Sequence, residues 1–441
     1  MLKSISKIFR PYNSTTLVEP VIISPANSVF DKKKISSSAI KVVEKLRLSG
    51  YESYIVGGCV RDLLMGMKPK DFDVATNATP EQVRVLFSRS RIIGRRFQIV
   101  HVCVGSEIIE VTTFRAQHTE IKNELSKSQL SSKGMLLRDN IFGSIADDAV
   151  RRDFTMNALY YCPIENEITD YTKGLEDIDK RLIRIIGDPS QRYREDPVRM
   201  LRALRFIAKL GFSIEDQSSK AIDKSRSLLA DIPPARLFDE ALKLFMNGYA
   251  LASFTALRKY GVFEILFPDI EKALLCDSTY YLKFIERALI NTDTRIRKKQ
   301  TVTPAFLFAA LLWPILKESE KKQNKSKKNN SFFFNDNAEK VIHEQCKRIA
   351  IPRRFTLPMK EIWQIQSRLP RRAGNQALKL MENKRFRAGY DFLLLREDSG
   401  EIKPGLGLWW TVFQDSKDTT REEMIKKIEF TTSKSMKLPK K

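Results

Sequence analysis

The chain has 441 residues and carries 77 Lys and Arg against 53 Asp and Glu, a formal net charge of +24. A hydrophobic content of 42% is enough to fill real cores, which excludes a globally disordered chain. The length predicts roughly two to four packed units. The positive charge predicts a polyanionic partner, and RNA, DNA or an anionic membrane surface would each satisfy it.

Cysteine and histidine usage excludes two common kinds of stabilising site. The five cysteines are far apart without a Cys-x-x-Cys pair, and the three histidines lack metal-ligand spacing. We therefore expect neither a disulfide framework nor a structural zinc site, and a cytoplasmic location. The N-terminus lacks the apolar run of a secretory signal. The longest apolar stretch, 305–316, contains Pro314 and is too short to cross a bilayer, so we expect a core helix there and no integral membrane segment.

The N-terminal third is predicted to form an α/β head. Residues 1–35 are polar and basic, and we expect a flexible segment. The catalytic head is predicted over 36–165. It begins with a helix over 37–48, and an apolar strand follows at 54–56.

The segment after that strand carries the first chemical signal. Gly57-Gly58 lacks Cβ atoms, which lets a phosphate approach the backbone closely. A short helix bearing Arg61 and Asp62 follows. A lone Gly-Gly pair is usually only a turn. Its position between a strand and a helix, just before a second, acidic strand, favours a functional interpretation.

The acidic strand is predicted to bind metal. Side chains alternate along a strand, so Asp71 and Asp73 would share one face while Phe72 and Val74 face the core. Two such carboxylates can share a pair of Mg²⁺ ions, with Mn²⁺ as the alternative, and clamp an in-line displacement at phosphorus. Glu110, on a strand over 108–114, is a candidate third ligand, although exposed strand glutamates are common.

Arg151-Arg152-Asp153 precedes a strand predicted over 155–161. Guanidinium groups match phosphate oxygens in a bidentate fashion, which suits triphosphate binding. A solvated charge cluster at a strand entry would explain the same residues. Both interpretations stay open on the sequence alone.

A helix is predicted over 195–211, with Asp196 as its N-cap, Pro197 at its first position and Gly211 at its end. Arginines recur at i, i+3 and i+6 along one flank. Helix stability alone would account for this pattern. Alternatively, acceptor and donor groups one turn apart could read a nucleobase without a template strand. The arginines are Arg199, Arg202 and Arg205.

Helical periodicity dominates from about residue 177 onward. The predicted fold class is α+β, a small mixed-sheet head followed by an extended all-helical neck, body and tail. The neck is expected over 166–265 and the body over 266–415. The body contains a low-complexity insert at 321–336, and the basic tail occupies 416–441.

These motifs together resemble the class II nucleotidyltransferase superfamily, which holds tRNA CCA-adding enzymes and bacterial poly(A) polymerases. The likeness covers roughly residues 40–265, with the motifs in the family's order. The segment 92–102, Ile-Ile-Gly-Arg-Arg-Phe-Gln-Ile-Val-His-Val, is similar to the pattern that separates poly(A) polymerases from CCA-adding enzymes. Further motifs that carry the likeness are Gly174-Leu-Glu-Asp177, matching the hinge motif, and Glu195-Asp196-x-x-Arg199, matching the base-selecting motif.

The resemblance implies a role for each candidate residue. Asp71 and Asp73 would bind metal, with Glu110 beside them, and Asp153 would be the third catalytic residue. Arg151 and Arg152 would contact phosphates, and Asp196 with Arg199 would select adenine. The full set expected to bind substrate is Gly57, Gly58, Arg61, Asp62, Arg151, Arg152, Asp196, Arg199, Arg202 and Arg205.

The implied activity is template-independent addition of AMP from ATP to RNA 3′ ends, with release of pyrophosphate, in RNA processing and decay. RNA-decay proteins such as a helicase or a nuclease are implied as partners, and we expect a monomer. A CCA-adding enzyme is the nearest alternative, because both subfamilies carry the base-selecting motif. An inactive RNA-binding adaptor is a further alternative, but it would predict the loss of an acidic residue or a glycine, and none is missing.

Overall fold

The computed structural model describes residues 19–25, 30–94, 98–116, 129–130, 136–138, 142–276, 278–324 and 331–436. The chain forms two compact units. The first comprises Met1–Asp196 with Ser213–Ser219, and the second comprises Pro197–Phe212 with Lys220–Lys441. The segment that was expected to separate poly(A) polymerases from CCA-adding enzymes lies partly outside the described residues, at 95–97.

The first unit is built on an eight-stranded mixed sheet with the order β1-β10-β9-β2-β3-β6-β5-β4. Within it β3 and β6 are parallel, and the other neighbouring strands are antiparallel. Two short strand pairs, β7 with β8 and β11 with β12, lie outside that sheet. The strands are β1 (Val21–Ile23), β2 (Ser53–Val56), β3 (Asp73–Thr76), β4 (Ser90–Ile93), β5 (Ile99–Val104), β6 (Glu107–Thr113), β7 (Gln129–Leu130), β8 (Leu136–Arg138), β9 (Leu159–Cys162), β10 (Glu167–Asp170), β11 (Leu182–Ile183) and β12 (Ser213–Ile214).

Side chains cap the N-termini of several helices in the first unit. The Ser36 hydroxyl accepts from the backbone of Ser38 and Ala39, and Thr79 forms a capping box with Gln82. Short 3-10 helices occupy Lys32–Lys34 and Thr155–Asn157. The α-helices are α1 (Ser37–Leu48), α2 (Gly58–Leu64), α3 (Pro80–Leu86), α4 (Ile145–Arg151), α5 (Gly174–Asp179) and α6 (Pro189–Glu195).

The sheet extends beyond the head predicted over 36–165. Strand β1 pairs with β10 along the register Val21↔Asp170, so strands on both sides of the predicted range complete the sheet. The division of the remaining chain into neck, body and tail stays a prediction. The strand predicted over 155–161 begins only at Leu159, because the backbone first turns through a 3-10 helix.

The second unit is helical in its described part. Its core includes the fully buried Trp363 and Trp410. The expected core helix at 305–316 is confirmed: α14 contains Pro314, and its side chains there are largely buried. The helices are α7 (Val198–Leu210), α8 (Asp216–Ser225, across the unit boundary), α9 (Pro234–Phe245), α10 (Ala250–Lys259), α11 (Phe263–Leu266), α12 (Pro268–Cys276), α13 (Ser278–Arg297), α14 (Pro304–Asn324), α15 (Ser331–Arg348), α16 (Arg353–Arg368), α17 (Gln376–Met381), α18 (Phe386–Ser399), α19 (Leu406–Asp415) and α20 (Asp418–Met436), with a 3-10 helix at Arg226–Asp231.

Within the part of the chain that the structure describes, no helix combines the length and apolarity needed to cross a bilayer. The structure describes only the two ends of the insert at 321–336, residues 321–324 and 331–336. Helix α14 ends at Asn324 and α15 begins at Ser331, and 325–330 lie outside the described residues. Both described ends of the insert are therefore helical.

The helix predicted over 195–211 is confirmed as α7 (Val198–Leu210), but it begins one residue later than predicted, and a separate short helix, α6, precedes it. Asp196 is the C-cap of α6, with extended φ −147° and ψ 92°, and Pro197 is the N-cap of α7. The proline ring disfavours helical backbone at the preceding residue, which forces Asp196 out of the helix. The predicted end is confirmed, since Gly211 terminates α7 in the left-handed conformation at φ 68°.

Candidate active site

Gly57 occupies the turn between β2 and α2 with φ 83° and ψ −139°, a combination that glycine alone adopts readily. Its N–H donates to the Leu159 carbonyl at 3.2 Å. A Cβ atom here would lie 3.5 Å from Arg152 Nη1 and 4.0 Å from Asp73 Oδ2. The predicted glycine, carboxylate and arginine motifs therefore meet at one point of the first unit.

Arg61 and Asp62 are buried, with 3% and 9% of their side-chain surface exposed. Arg61 Nε donates to Asp62 Oδ1 at 2.9 Å, and Arg61 Nη1 donates to Asn157 Oδ1. Asn157 Nδ2 in turn donates to Asp153 Oδ1 at 3.2 Å. These contacts link the Gly-Gly helix to the Arg-Arg-Asp motif, whereas direct contact of Arg61 and Asp62 with substrate stays a prediction.

The three candidate metal ligands lie on or beside two parallel strands. Asp73 is half-buried at the start of β3, directly in register with the exposed Glu110 of β6. Asp71 is exposed and precedes β3, so the expectation that one strand carries both aspartates is wrong. Asp71 lies in the irregular segment between α2 and β3, because pairing with Val56 begins only at Asp73.

The Asp73 carboxyl lies in a field of negative charge. Its pKa is raised to about 6, chiefly by burial and also by the charges of Glu110 and Asp71, while the charge of Arg152 opposes the increase. Glu110 Oε1 is also 3.4 Å from His101 Nε2 across the strand pair. Like charges that burial leaves poorly compensated favour a bound cation.

A complete metal-ligand cluster is not preformed among the residues that the structure describes. No group of three or more His, Cys, Asp or Glu side chains in that part of the chain is arranged to hold a metal ion. The assignment of Asp71, Asp73 and Glu110 as ligands therefore stays a prediction. It is supported by the raised pKa of Asp73.

The Arg-Arg-Asp motif lies at the C-terminal end of helix α4. Arg151 is the last residue of α4, and Arg152 is its C-cap. Asp153 Oδ1 accepts from the Phe154 N–H at 2.8 Å, which orients its carboxylate. Arg192 Nη2 donates to the Arg152 carbonyl at 2.6 Å and also to the Arg151 carbonyl. The motif's backbone is thus fixed from α6.

The matched hinge motif packs against the same turn. A Cβ on Gly174 would lie 2.3 Å from the Thr155 carbonyl oxygen, so only glycine fits there. Asp177 is 2% exposed and accepts from the Thr155 hydroxyl at 2.7 Å. Arg184 Nε donates to the same carboxylate at 3.0 Å. Within the first unit this motif holds the turn that follows Asp153.

The base-selecting residues lie on either side of the unit boundary, which falls between Asp196 and Pro197. Asp196 belongs to the first unit and is half-buried. The predicted arginines lie on α7 and are each half-buried, while its apolar positions 198, 201 and 204 are buried as predicted. Their joint action on a base stays a prediction. The arginines are Arg199, Arg202 and Arg205.

Four residues at this site were not predicted from the sequence: Asp148, Asn157, Tyr160 and Arg192. Asn157 and Tyr160 fall within the strand predicted over 155–161, and no element was predicted around Asp148. The order Asp148…Arg152 at i, i+4 on a helix was the available signal for an ion pair. Their contacts depend on tertiary packing, which local patterns do not encode.

Comparisons with known proteins agree with this geometry. A family model described as "Poly A polymerase head domain" matches residues 53–184. Two further models match: "Probable RNA and SrmB- binding site of polymerase A" over 211–274 and "Polymerase A arginine-rich C-terminus" over 326–441. The head and its site thus define a nucleotidyltransferase of the poly(A) polymerase type.

Curated relatives extend the match along the chain. Poly(A) polymerase I of Salmonella typhimurium is 46% identical over 92% of this chain and 89% of its own length. The Haemophilus influenzae protein of that name is 45% identical over 92% of this chain and 90% of its own length. A CCA-adding enzyme of Bacillus pumilus is 36% identical over 55% of this chain and 59% of its own length. The chain belongs to the poly(A) polymerase I family.

Solved structures support the fold. A crystal structure of the Bacillus stearothermophilus CCA-adding enzyme in complex with CTP matches with a TM-score of 0.57 and 25% identity, covering 85% of this chain and 80% of that one. A Thermotoga maritima CCA-adding enzyme complexed with tRNA matches with a TM-score of 0.56 and 16% identity, covering 92% and 99%. The predicted α+β class is confirmed.

Proposed function

We propose that this protein is a template-independent poly(A) polymerase that adds AMP from ATP to RNA 3′ ends. The RNA 3′-hydroxyl oxygen bonds to the α-phosphorus, the bond from that phosphorus to the β-phosphate oxygen breaks, and pyrophosphate and the hydroxyl proton are released. The observation that carries the proposal is the meeting of Gly57, Asp73 and Arg152 at one point, in a chain 46% identical to poly(A) polymerase I over 92% of its length.

The chain's own residues supply the phosphate site. The Arg152 guanidinium faces Gly57, where the missing side chain leaves the backbone open to a triphosphate. Arg151 is the last residue of the same helix and would contact the phosphates as well. Asn157 donates to the carboxylate of Asp153, the residue that the family motif assigns to the ribose. The phosphates would be held chiefly by charge and backbone proximity.

We propose that Asp71 and Asp73, with Glu110 beside them, hold Mg²⁺ or Mn²⁺. The fit lies in the Asp73 carboxyl, whose pKa is raised to about 6 by burial and by neighbouring negative charge that a cation would offset. When bound, divalent ions would neutralise charge developing at the α-phosphate and on the leaving pyrophosphate. Asp196 and Arg199 would present an acceptor and donors to the adenine edge.

Partners and location follow from charge and cysteine chemistry. The net charge of +24 suits an RNA backbone, so binding should weaken steeply as salt rises. Cys59, Cys103, Cys162 and Cys346 are free thiols, which suits a reducing cytoplasm. We further propose that the protein is a monomer and works with RNA-decay proteins such as a helicase or a nuclease.

A CCA-adding activity is the competing function, since relatives with that name match the chain at 36% identity over 55% of its length. The deciding experiment supplies ATP, CTP, GTP and UTP one at a time with an unstructured RNA and with a tRNA lacking its CCA end. Long extension of the unstructured RNA by ATP alone is expected. Addition that stops after one CCA on the tRNA would overturn the proposal.

A further inference from the structure

Arg152 is held by two buried neighbours that use only part of its guanidinium. Nε donates to Asp148 Oδ2 at 3.1 Å and to the Tyr160 hydroxyl at 3.0 Å. Nη2 donates to the same Asp148 oxygen at 2.9 Å. Nη1 makes no hydrogen bond to any residue that the structure describes. The donor that stays available is therefore the one facing Gly57, 3.5 Å from where its Cβ would be.

Tyr160 is a rigid partner for this arginine. It is fully buried in β9, and its ring packs edge-on to Tyr54 at 6.1 Å, Phe114 at 6.5 Å and Tyr171 at 6.5 Å between centroids. The Arg152 guanidinium also lies over the ring, 5.2 Å from its centroid. Because three aromatic neighbours fix the ring, the hydroxyl has one position.

Asp148 is equally constrained. Its side chain is 7% exposed, and it sits one helical turn before Arg152. Oδ2 also accepts from the Tyr160 hydroxyl at 2.7 Å, and Oδ1 accepts from the Arg115 N–H at 3.3 Å. The Asp148 carboxylate and the Tyr160 hydroxyl thus satisfy each other and two nitrogens of the partly exposed Arg152, and the burial of both partners makes these bonds strong and well oriented.

The protonation states agree with this arrangement. Burial raises the pKa of the Tyr160 hydroxyl well above its usual value, so it stays neutral and can both donate and accept. Burial lowers the pKa of Arg152, but Tyr160 and Asp148 outweigh it and the net change is upward. The arginine is therefore cationic at any working pH.

We propose that Asp148 and Tyr160 are positioning residues that hold Arg152 so that Nη1 and its charge face the nucleotide's phosphates at Gly57. This inference rests on the proposed function. An arginine side chain has several rotatable bonds, and fixing two of its nitrogens in advance removes the entropy cost of ordering it when the triphosphate binds. Neither residue touches the substrate itself.

Tyr160→Phe is the primary test, because it removes one hydroxyl and keeps the ring. Tyr161→Phe is the matched control: Tyr161 is the next residue of β9, also buried, and its hydroxyl donates to Asn166 at 3.2 Å, away from Arg152. We expect Tyr160→Phe to weaken tripolyphosphate binding about 5-fold and Asp148→Asn about 30-fold, as is typical of losing a neutral and a charged partner. Tyr161→Phe should leave it unchanged.

Adenosine binding distinguishes a loss of Arg152 orientation from a general disturbance of the fold. Calorimetric titration of each variant with tripolyphosphate and, separately, with adenosine should show loss for the first ligand and little change for the second. Equal weakening for both ligands would mean that the variants merely disturb the fold, and the inference would fail. Thermal unfolding of each variant monitors folding independently, and Tyr160→Phe keeps the test usable if Asp148→Asn misfolds.

A double-mutant cycle between Tyr160 and Arg152 tests the positioning role more directly. In an Arg152→Ala background, adding Tyr160→Phe should change tripolyphosphate binding by less than 2-fold, because the hydroxyl acts only through the guanidinium. A further loss of about 5-fold in that background would overturn the inference. RNA adenylation by the unaltered protein is measured in parallel. Its absence would count against the proposed function, while the binding ratios would still decide the role of Tyr160.

Discussion

Asp73→Asn is expected to abolish AMP incorporation and yet to stabilise the metal-free fold. Burial together with the Glu110 and Asp71 charges raises the Asp73 pKa from 3.8 to about 6. Each pKa unit corresponds to about 1.4 kcal/mol, so a rise of about 2 units bounds the penalty near 3 kcal/mol. Since the side chain is only half-buried and solvent screens part of the repulsion, we expect a gain of about 1–3 kcal/mol at pH 8.

The stability gained by Asp73→Asn should be largest above about pH 6 and should shrink as the pH falls. The folded protein holds the Asp73 proton more tightly than the unfolded chain does, because its pKa is raised. Above about pH 6 both states are ionised, and the folded state carries the full penalty. As the pH falls from about 6 towards 3.8 the penalty disappears, and with it the advantage of the Asn variant.

Urea unfolding with EDTA present, between pH 4 and 8, measures this difference. Asp179→Asn is the matched control, since Asp179 is exposed on α5 of the same unit and should show no such pH-dependent gain. An Asp73→Asn variant that is less stable than the unaltered protein at pH 8, or whose advantage does not shrink towards pH 4, would refute the electrostatic reasoning.

Three further predictions concern the glycines and the metal. Gly57→Ala should cost about 1–3 kcal/mol of unfolding free energy, because its φ of 83° with ψ of −139° is strained for any residue with a Cβ atom; unchanged stability in urea unfolding would contradict this. Gly174→Ala should cost more than about 3 kcal/mol or prevent folding, since its Cβ would lie 2.3 Å from the Thr155 carbonyl; an unchanged Tm would contradict it. Saturating Mg²⁺ should raise the Tm of the unaltered protein more than that of Asp73→Asn, and equal shifts would place the ion elsewhere.

The local elements of the head were largely predictable from the sequence. Ser37–Leu48, Ser53–Val56 and the capped helix from Pro80 follow from periodicity and caps, which act within a few residues. Strand β1 was missed because a three-residue strand in a polar segment has no pattern of its own and exists through its pairing with β10. Its pairing partner is distant in sequence, so no local rule could place it.

The candidate site was predictable in part. Gly57, Asp73 and Arg152 come together as the motif order implied. The beginning of α7 beside Pro197 and its end at Gly211 were predicted to within one residue, whereas the short helix α6 before it was not predicted. The network around Asp148 and Tyr160 depends on two elements packing together, and neither residue type signals it alone. Polar side chains that satisfy one another in a core are set by tertiary structure.

The most direct test of the central claim is single-turnover incorporation of labelled AMP into an unstructured RNA with Mg²⁺ and ATP. Asp73→Asn and the control Asp179→Asn are compared with the unaltered protein. We predict that Asp179→Asn keeps the full rate, while Asp73→Asn loses at least about 100-fold, as expected for removing a charge that acts in the transition state. Incorporation by Asp73→Asn at the control rate would contradict the claim that the chemistry occurs where Gly57, Asp73 and Arg152 meet.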